Sequence, residues 1–139
     1  MRIAFLLAVA TTLLAACSSS SSGTDVSGLA PTWTNVYSAV VAKKCLPCHA
    51  TSTGVSLGKL DLSAKDKAYA NLLNVAAQGS SCAGQGTLVV PGQASSSLFY
   101  QKVGSSPPCG LTMPFQLAPL SGSEKNLIKE WIDGGAKNN

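Results

Sequence analysis

The stretch Cys45-Leu46-Pro47-Cys48-His49 carries the strongest chemical signal in the chain. Two cysteines three positions apart, followed directly by histidine, form the C-x-x-C-H pattern of covalent haem attachment. In that chemistry Cys45 and Cys48 add to the two vinyl groups of the porphyrin as thioethers, and His49 binds the iron beneath the ring. The spacing lets one short turn reach both vinyl groups and the metal. The pattern therefore predicts one covalent haem c per chain.

The same cysteines allow two other interpretations. A zinc site could combine Cys45 and Cys48 with Cys82 and Cys109, although the second pair of a structural zinc site is usually closely spaced. A Cys-x-Pro-Cys pair could also be a thiol–disulfide redox motif, but that motif is typical of a βαβ pattern. The residues before Cys45 favour a helix instead. Neither alternative requires a histidine directly after the second cysteine.

Residues 1–16 have the pattern of a signal peptide, with a positive start at Arg2 and an apolar run over 3–14. The small residues before Cys17 resemble the lipobox of bacterial lipoproteins. We therefore expect cleavage before Cys17 and lipidation of that residue, which would anchor the protein on a membrane without a spanning helix. An ordinary signal peptide with an incidental Cys17 is the alternative.

The mature chain has the size of a single domain. Residues 17–30 are rich in Ser and Gly, which predicts a flexible tether behind the lipidated cysteine, and residues 31–139 form the predicted domain. The net charge is +4 and the lysines are scattered, so nucleic acid is not an expected partner. Export places the protein in the periplasm or on the cell surface. Ser18 after the lipid cysteine favours the outer membrane, by analogy with lipoprotein sorting.

Apolar residues recur at helical spacing, which predicts an all-α domain of about four helices joined by long loops. The first helix starts at Thr32 or Thr34, ends at Lys44 and leads the chain into Cys45. The last helix has the clearest signal, because Ser121 and Glu124 have capping-box spacing. The apolar residues that define these two helices are Trp33, Val36, Tyr37, Val40, Val41, Leu127, Ile128, Trp131 and Ile132.

Between these helices the pattern is weaker. Residues 50–58 are rich in Thr, Ser and Gly and are predicted as a loop. Ser63 and Asp66 have capping-box spacing for a second helix. Residues 88–90 read as extended chain entering a turn, and a short helix is expected to start at Ser95 or Ser96.

The sixth position of a histidine-bound haem iron needs its own ligand. The chain has one histidine and two methionines, and Met1 leaves with the signal peptide, so Met113 is the remaining methionine. Its thioether favours ferrous iron. The alternative is that Met113 only fills a gap in the core. Cys82 and Cys109 remain, and an oxidising compartment makes a disulfide between them plausible.

Together these residues resemble a class I, cytochrome c-like domain of the small exported type, over about residues 33–136. The matching residues are Cys45-Leu46-Pro47-Cys48-His49, Pro91-Gly92, Ser96-Ser97-Leu98-Phe99-Tyr100, Met113-Pro114, Leu120-Ser121 and Trp131-Ile132-Asp133-Gly134-Gly135-Ala136. The chain departs from the family where Phe115 follows Met113-Pro114, since many members have a second proline there. Cys82 and Cys109 also lie outside the general pattern.

The resemblance implies an all-α fold with crossing first and last helices, and a mostly buried haem with one exposed edge. It implies electron transfer with redox protein partners, and with both axial positions filled we expect neither an enzyme nor a small-molecule substrate. Lys43 and Lys44 could steer an acidic partner or be ordinary solvated charges. Two alternatives stay open. One is a haem-based sensor or gas binder with a displaceable Met113. The other is a structural lipoprotein without haem, with Cys45–Cys48 and Cys82–Cys109 disulfides.

Overall fold

The computed structural model describes residues 25–139, and nearly all the regular structure in that part is helical. An N-terminal helix runs continuously through α1 (Trp33–Val36), a π-helical stretch (Tyr37–Cys45) and α2 (Leu46–His49). The others are α3 (Ser52–Gly58), α4 (Lys65–Leu72), a 3₁₀ turn (Ala94–Ser96), α5 (Leu98–Lys102) and α6 (Gly122–Asp133). β pairing in residues 25–139 consists of two isolated bridges, between segments 73–76 and 87–89. The predicted all-α class is confirmed.

The N-terminal helix begins as the sequence predicts but ends later. The Thr32 hydroxyl caps it by accepting a hydrogen bond from Asn35 N at 3.2 Å. The expected end at Lys44 is wrong, because the helix continues to His49. Pro47 does not end the helix, which continues through it to His49, although proline has no N–H to donate to the preceding turn. The attachment motif is therefore part of a helix.

Helix α6 matches its prediction at both ends. The Ser121 hydroxyl accepts a hydrogen bond from Glu124 N at 3.2 Å, and Glu124 Oε2 accepts one from Ser121 N at 2.7 Å. This is the predicted capping box. The helix ends before Gly134, and Gly135 takes a φ of +97°, which favours glycine. The predicted apolar stripe is buried: Leu127, Ile128, Trp131 and Ile132.

An aromatic cluster joins the N-terminal helix, α4 and α6. The ring centroids of Trp33 and Trp131 lie 4.9 Å apart, and that of Tyr69 lies 5.8 Å from Trp33. The indole N–H of Trp33 donates to Lys65 O at 3.1 Å, and that of Trp131 donates to Lys137 O at 2.9 Å. Because both indole donors have partners, the rings are buried without an unpaired polar group. This cluster fixes the helix that carries the attachment motif.

The loop predicted over residues 50–58 is wrong, because Ser52–Gly58 forms α3. Thr51 caps this helix by accepting a hydrogen bond from Gly54 N at 3.1 Å. Its C-terminus turns at Lys59, which takes a left-handed φ of 50°. A threonine cap thus nucleates a helix in a stretch whose composition resembles a loop.

The predicted capping box at Ser63 and Asp66 is also wrong. The N-cap of α4 is Ala64, without a side-chain hydrogen bond, whereas Ser63 N donates to Asp61 Oδ1 at 2.9 Å. The competing turn at Asp61 therefore moves the start of the helix by one residue. The short helix expected from Ser95 or Ser96 is present as the 3₁₀ turn followed by α5.

The predicted tether, residues 17–30, reaches into the folded part. Val26 is only 2% exposed and packs in the main apolar core, and Leu29 N donates to Val26 O at 3.1 Å. Folded structure thus starts before residue 31, the predicted domain boundary. A single buried valine in a Ser/Gly-rich run gives no periodic signal, which is why composition missed it.

Candidate functional site

The attachment motif lies at the C-terminal end of the N-terminal helix. Cys45 stands at the junction of the π-helical stretch with α2, and Cys48 and His49 follow on the last turn. Both cysteines carry free thiols, so the Cys45–Cys48 disulfide of the structural alternative is not formed. Residues three apart on a helix are neighbours on its surface. The chain therefore presents two unpaired thiols and one imidazole together.

The two thiols differ in their surroundings. Cys45 packs against the apolar core, while Cys48 is exposed. Burial raises the pKa of the Cys45 thiol to about 12, and the charges of Cys48 and Glu124 add to the rise. A thiol–disulfide redox motif needs the opposite, a thiol whose pKa is lowered so that the thiolate forms. The environment of Cys45 therefore disfavours the redox interpretation.

The His49 ring is held in one orientation. Its Nδ1 lies 3.0 Å from the carbonyl oxygen of Leu60, and its own carbonyl oxygen accepts a hydrogen bond from Leu62 N at 2.9 Å. The Tyr37 hydroxyl donates to Leu62 O at 3.2 Å and supports this segment. Because a carbonyl only accepts, Nδ1 carries the proton, and in the neutral ring Nε2 keeps the lone pair that a metal binds. A second partner on Nδ1 is typical of metal-binding histidines.

Polar contacts around Asp61 reinforce the segment 60–62. Asn71 Nδ2 donates to Asp61 O at 2.8 Å. The Asp61 carboxylate accepts from Ser63 N at 2.9 Å and pairs with Lys67 Nζ at 3.2 Å. The hydrogen bonds from Ser63, and then Lys67, lower the pKa of Asp61 to about 2. The carbonyl that orients His49 thus belongs to a turn with several independent supports.

Met113 lies in an irregular segment, the methionine loop (residues 109–113). Met113 is partly buried, and its N–H donates to Lys102 O at 2.7 Å. Cys109 is joined to Cys82 by a disulfide, with Cα atoms 5.4 Å apart and a sequence separation of 27. The disulfide considered from the sequence is therefore formed. It ties the start of the methionine loop to the segment 79–82.

Lys102 contacts the methionine loop in three places. Its ammonium donates to the carbonyl oxygens of Cys109, at 2.8 Å, and Leu111. Its own carbonyl oxygen accepts the hydrogen bond from Met113 N. Burial lowers the pKa of Lys102. Nothing in the sequence singled out Lys102, because a lysine at the end of a short helix is usually a solvated charge.

Close approaches at glycines connect the His49 side with the methionine loop. A Cβ on Gly58 would lie 3.2 Å from His49 Cε1, and a Cβ on Gly79 would lie 2.8 Å from Gly58 O. On the other side, Gly110 has a φ of +56°, and a Cβ there would lie 3.1 Å from a side chain of segment 79–82. This segment therefore touches both candidate ligand regions, which brings the histidine and methionine segments into one neighbourhood.

Exposed apolar side chains flank both candidate ligands. Five large apolar residues are exposed in the part described, and four of them are near His49 or Met113 in sequence. These four are Leu57 at 70%, Leu111 at 61%, Phe115 at 45% and Leu117 at 48% exposed. Single exposed apolar residues are normal on protein surfaces, so these four do not by themselves define a binding surface.

Two clefts in the described part of the chain do not coincide with these donor atoms. The larger, about 610 Å³, is lined mainly by Ser, Gly and amide side chains with Tyr100 and Lys125. The smaller, about 360 Å³, is lined by residues of α3, α4, the turn at Asp61 and the segment after α4. Neither contains a motif cysteine, His49 or Met113. We therefore define the site by its donor atoms and not by cleft size.

Glu124, besides capping α6, has a buried carboxylate oxygen without a hydrogen-bond partner in the part of the chain that the structure describes. It is 2% exposed, and its Oε1 has no hydrogen-bond partner among the described residues. Its charge acts on the Cys45 thiol, so the carboxyl group lies near the attachment site. Leaving a buried acceptor unpaired costs stability. Nothing in the sequence distinguished this oxygen from the ordinary second oxygen of a capping box.

The remaining predictions concern the signal peptide, the lipidated cysteine and a zinc site. The predicted signal peptide, residues 1–16, and the lipidated Cys17 lie outside the described residues. Within residues 25–139 no helix is long and apolar enough to cross a bilayer. The four-cysteine zinc interpretation fails, because Cys82 and Cys109 are bonded to each other and cannot ligate as thiolates.

No family model, curated protein or solved structure matches this chain. The candidate site is therefore argued from its own residues. The main supports that sequence reasoning missed are Leu60, Leu62 and Lys102, which act through backbone carbonyls or bond to them. Backbone contacts leave no residue-type signal, although the glycines at 58, 79 and 110 were visible hints of close approach.

Proposed function

We propose that this chain is a monohaem c-type cytochrome that carries electrons, with a cytochrome c-like form of the all-α fold. The observation that carries the proposal is the state of the three motif side chains. Cys45 and Cys48 are unpaired thiols on one helix end, and the adjacent His49 has Nδ1 engaged by Leu60 O and Nε2 available. This combination fits covalent haem attachment, and the Cys82–Cys109 disulfide leaves no second cysteine pair to complete a four-cysteine zinc site.

Each part of the site has a task in this proposal. The thiols of Cys45 and Cys48 would hold the porphyrin, Nε2 of His49 would bind iron, and the Met113 thioether would fill the sixth position. The haem would supply an iron that alternates between the ferrous and ferric states. The Met113 thioether would favour ferrous iron and so raise the potential.

The chain's own residues would keep this arrangement fixed. Leu60 O and Leu62 N orient His49, so its ring need not move when the charge of the site changes. The disulfide and Lys102 restrain the methionine loop. With both axial positions filled we expect redox protein partners and no small-molecule substrate. We therefore propose a carrier and not an enzyme.

Location is a separate part of the proposal. A lipidated Cys17 would tether the domain to a membrane facing the periplasm or the cell surface, with the outer membrane favoured by Ser18. Cys17→Ser should move the protein from the membrane fraction to the soluble fraction. Wild type should take up a fatty-acid analogue label and the variant should not. A wild-type protein that partitions into the aqueous phase of a detergent separation would contradict the anchor.

Haem staining tests the central chemistry. Wild type, expressed with a cytochrome c maturation system, should give a haem-staining band on a denaturing gel, because thioethers survive denaturation. Cys45→Ala with Cys48→Ala should abolish the band. The matched control is Cys82→Ala with Cys109→Ala, which also removes two cysteines but should keep the stain. A wild type without the stain contradicts the proposal.

Carbon monoxide binding separates a carrier from a haem-based sensor. If Met113 holds the sixth position, the reduced protein should bind carbon monoxide poorly under native conditions. Met113→Ala should bind it readily. Ready binding by wild type would favour the sensor function, with Met113 displaced by the gas.

A further inference from the structure

The methionine loop has few restraints of its own. Leu111 is 61% exposed, so packing contributes little there. Within the described residues, the backbone of 110–112 makes no hydrogen bond apart from the one that Leu111 O accepts from Lys102. The loop is fixed at Cys109 by the disulfide and at Met113 by one N–H bond. Between these ends its conformation depends on the lysine ammonium.

Lys102 contacts the loop on two sides. Its ammonium bonds to the carbonyls of Cys109 and Leu111, on either side of Gly110, and its carbonyl accepts the Met113 N–H. The fit around Gly110 is tight, since a Cβ there would lie 3.2 Å from the lysine Nζ. Hydrogen bonds from a charged donor are about twice as strong as neutral ones. One side chain thus sets the path of the chain that leads to Met113.

We propose that Lys102 is the positioning residue for Met113, holding the loop so that the thioether stays at its iron-binding position. The inference rests on the proposed ligation by Met113 and deepens it. Without the ammonium, two carbonyls lose their donor and the loop gains conformations in which the thioether points elsewhere. Met113 would then occupy its position for a smaller fraction of the time, and a competing ligand would bind more tightly.

Exogenous imidazole binding to the oxidised, haem-loaded protein tests this. Lys102→Met keeps most of the side-chain length and removes the donor. Losing a charged hydrogen bond that restrains the loop should tighten imidazole binding by about tenfold. The far-red absorption of sulfur-ligated ferric iron should weaken. Lys102→Arg, which can donate to both carbonyls, should recover wild-type behaviour, and Lys102→Gln should be intermediate.

Lys129→Met is the matched control. This variant also loses a short contact, a 2.7 Å ion pair with Asp133, but both partners lie on α6 and neither forms a hydrogen bond with the methionine loop. It should leave imidazole affinity and the far-red band unchanged. If Lys102→Met binds imidazole no more tightly than Lys129→Met and keeps the band, Lys102 does not position Met113.

Met113→Ala separates a failure of the Lys102 positioning role from a failure of iron ligation by Met113. Met113→Ala should bind imidazole more tightly than every lysine variant. If Met113→Ala matches wild type in affinity and spectrum, Met113 is not a ligand and the ligation itself fails. If Met113→Ala shows the large effect and Lys102→Met shows none, only the positioning role is wrong. Should Lys102→Met fold poorly, Lys102→Gln against Lys102→Arg gives the same decision.

Discussion

The two candidate ligand regions are built in different ways. His49 lies on a regular helix, and two hydrogen bonds from the segment 60–62 fix its ring and its backbone. Met113 lies in an irregular loop, which depends on a disulfide and on Lys102 for its position. A helix already fixes the backbone of the residue it carries, whereas a loop must be ordered by added bonds. The backbone around His49 should therefore be more rigid than the methionine loop.

Replacing Met113 should have the largest effect on the redox properties. Met113→Ala should remove the far-red band, open the sixth position and lower the midpoint potential. The fall should be a sizeable part of the roughly 0.8 V that axial ligands span in haem proteins. Met113→His should restore six-coordination with a low potential, because imidazole favours ferric iron relative to a thioether.

The fold should survive both Met113 variants, since the thioethers and His49 would still hold the haem. Absorption spectra measure the far-red band, redox titration measures the midpoint potential, and thermal unfolding measures the stability of the fold. If the midpoint potential of Met113→Ala equals that of wild type, Met113 does not bind the iron, and only the His49 region is a ligand region.

Removing the disulfide should come next: it should lower the stability of the whole protein, and its effect on ligand binding should be seen at the methionine loop. Cys82→Ser with Cys109→Ser opens a loop with a sequence separation of 27. In the chain-entropy model this lowers the free energy of unfolding by about 3–4 kcal/mol. Imidazole affinity should rise as the methionine loop loosens, while the haem stain persists. Denaturant unfolding and ligand titration measure both. A loss of the stain would mean that the disulfide also supports the attachment side.

A substitution at Gly79 should disturb both regions at once. The added Cβ of Gly79→Ala would lie 2.8 Å from Gly58 O, and Gly58 in turn lies against the His49 ring. Overpacking of this kind costs about 1–3 kcal/mol. Gly122→Ala is the control, because a Cβ there meets nothing within 4 Å. Equal stability of the two variants would show that segment 79–82 does not connect the regions.

The smallest effect should be a pH dependence confined to the histidine side. The folded pKa of Asp61, about 2, lies below its ordinary value, so its contribution to stability is present above that ordinary value. It is lost as the pH falls toward 2. Asp61→Asn should therefore unfold at a lower temperature than wild type at neutral pH and match it near pH 2. A constant difference across this range would contradict the assignment.

The regular elements could be predicted from the sequence more readily than the site's supports. The capping box at Ser121 and the buried stripe of α6 follow from side-chain types at fixed spacing. Helix α3 could not be predicted in this way, because its Thr51 cap lies in a stretch with loop-like composition. The supports of His49 and Met113 use backbone atoms, which residue types do not reveal.

Covalent haem attachment at Cys45 and Cys48 can be tested directly on one peptide. Lys44 precedes Cys45, and the next lysine is Lys59, so trypsin should release residues 45–59 as one fragment. In the mature protein this fragment should carry the mass of one haem, with fragmentation placing it on Cys45 and Cys48. The fragment containing Cys82 should be linked to the one containing Cys109. A 45–59 peptide of unmodified mass, or one with Cys45 and Cys48 joined to each other, would contradict the account.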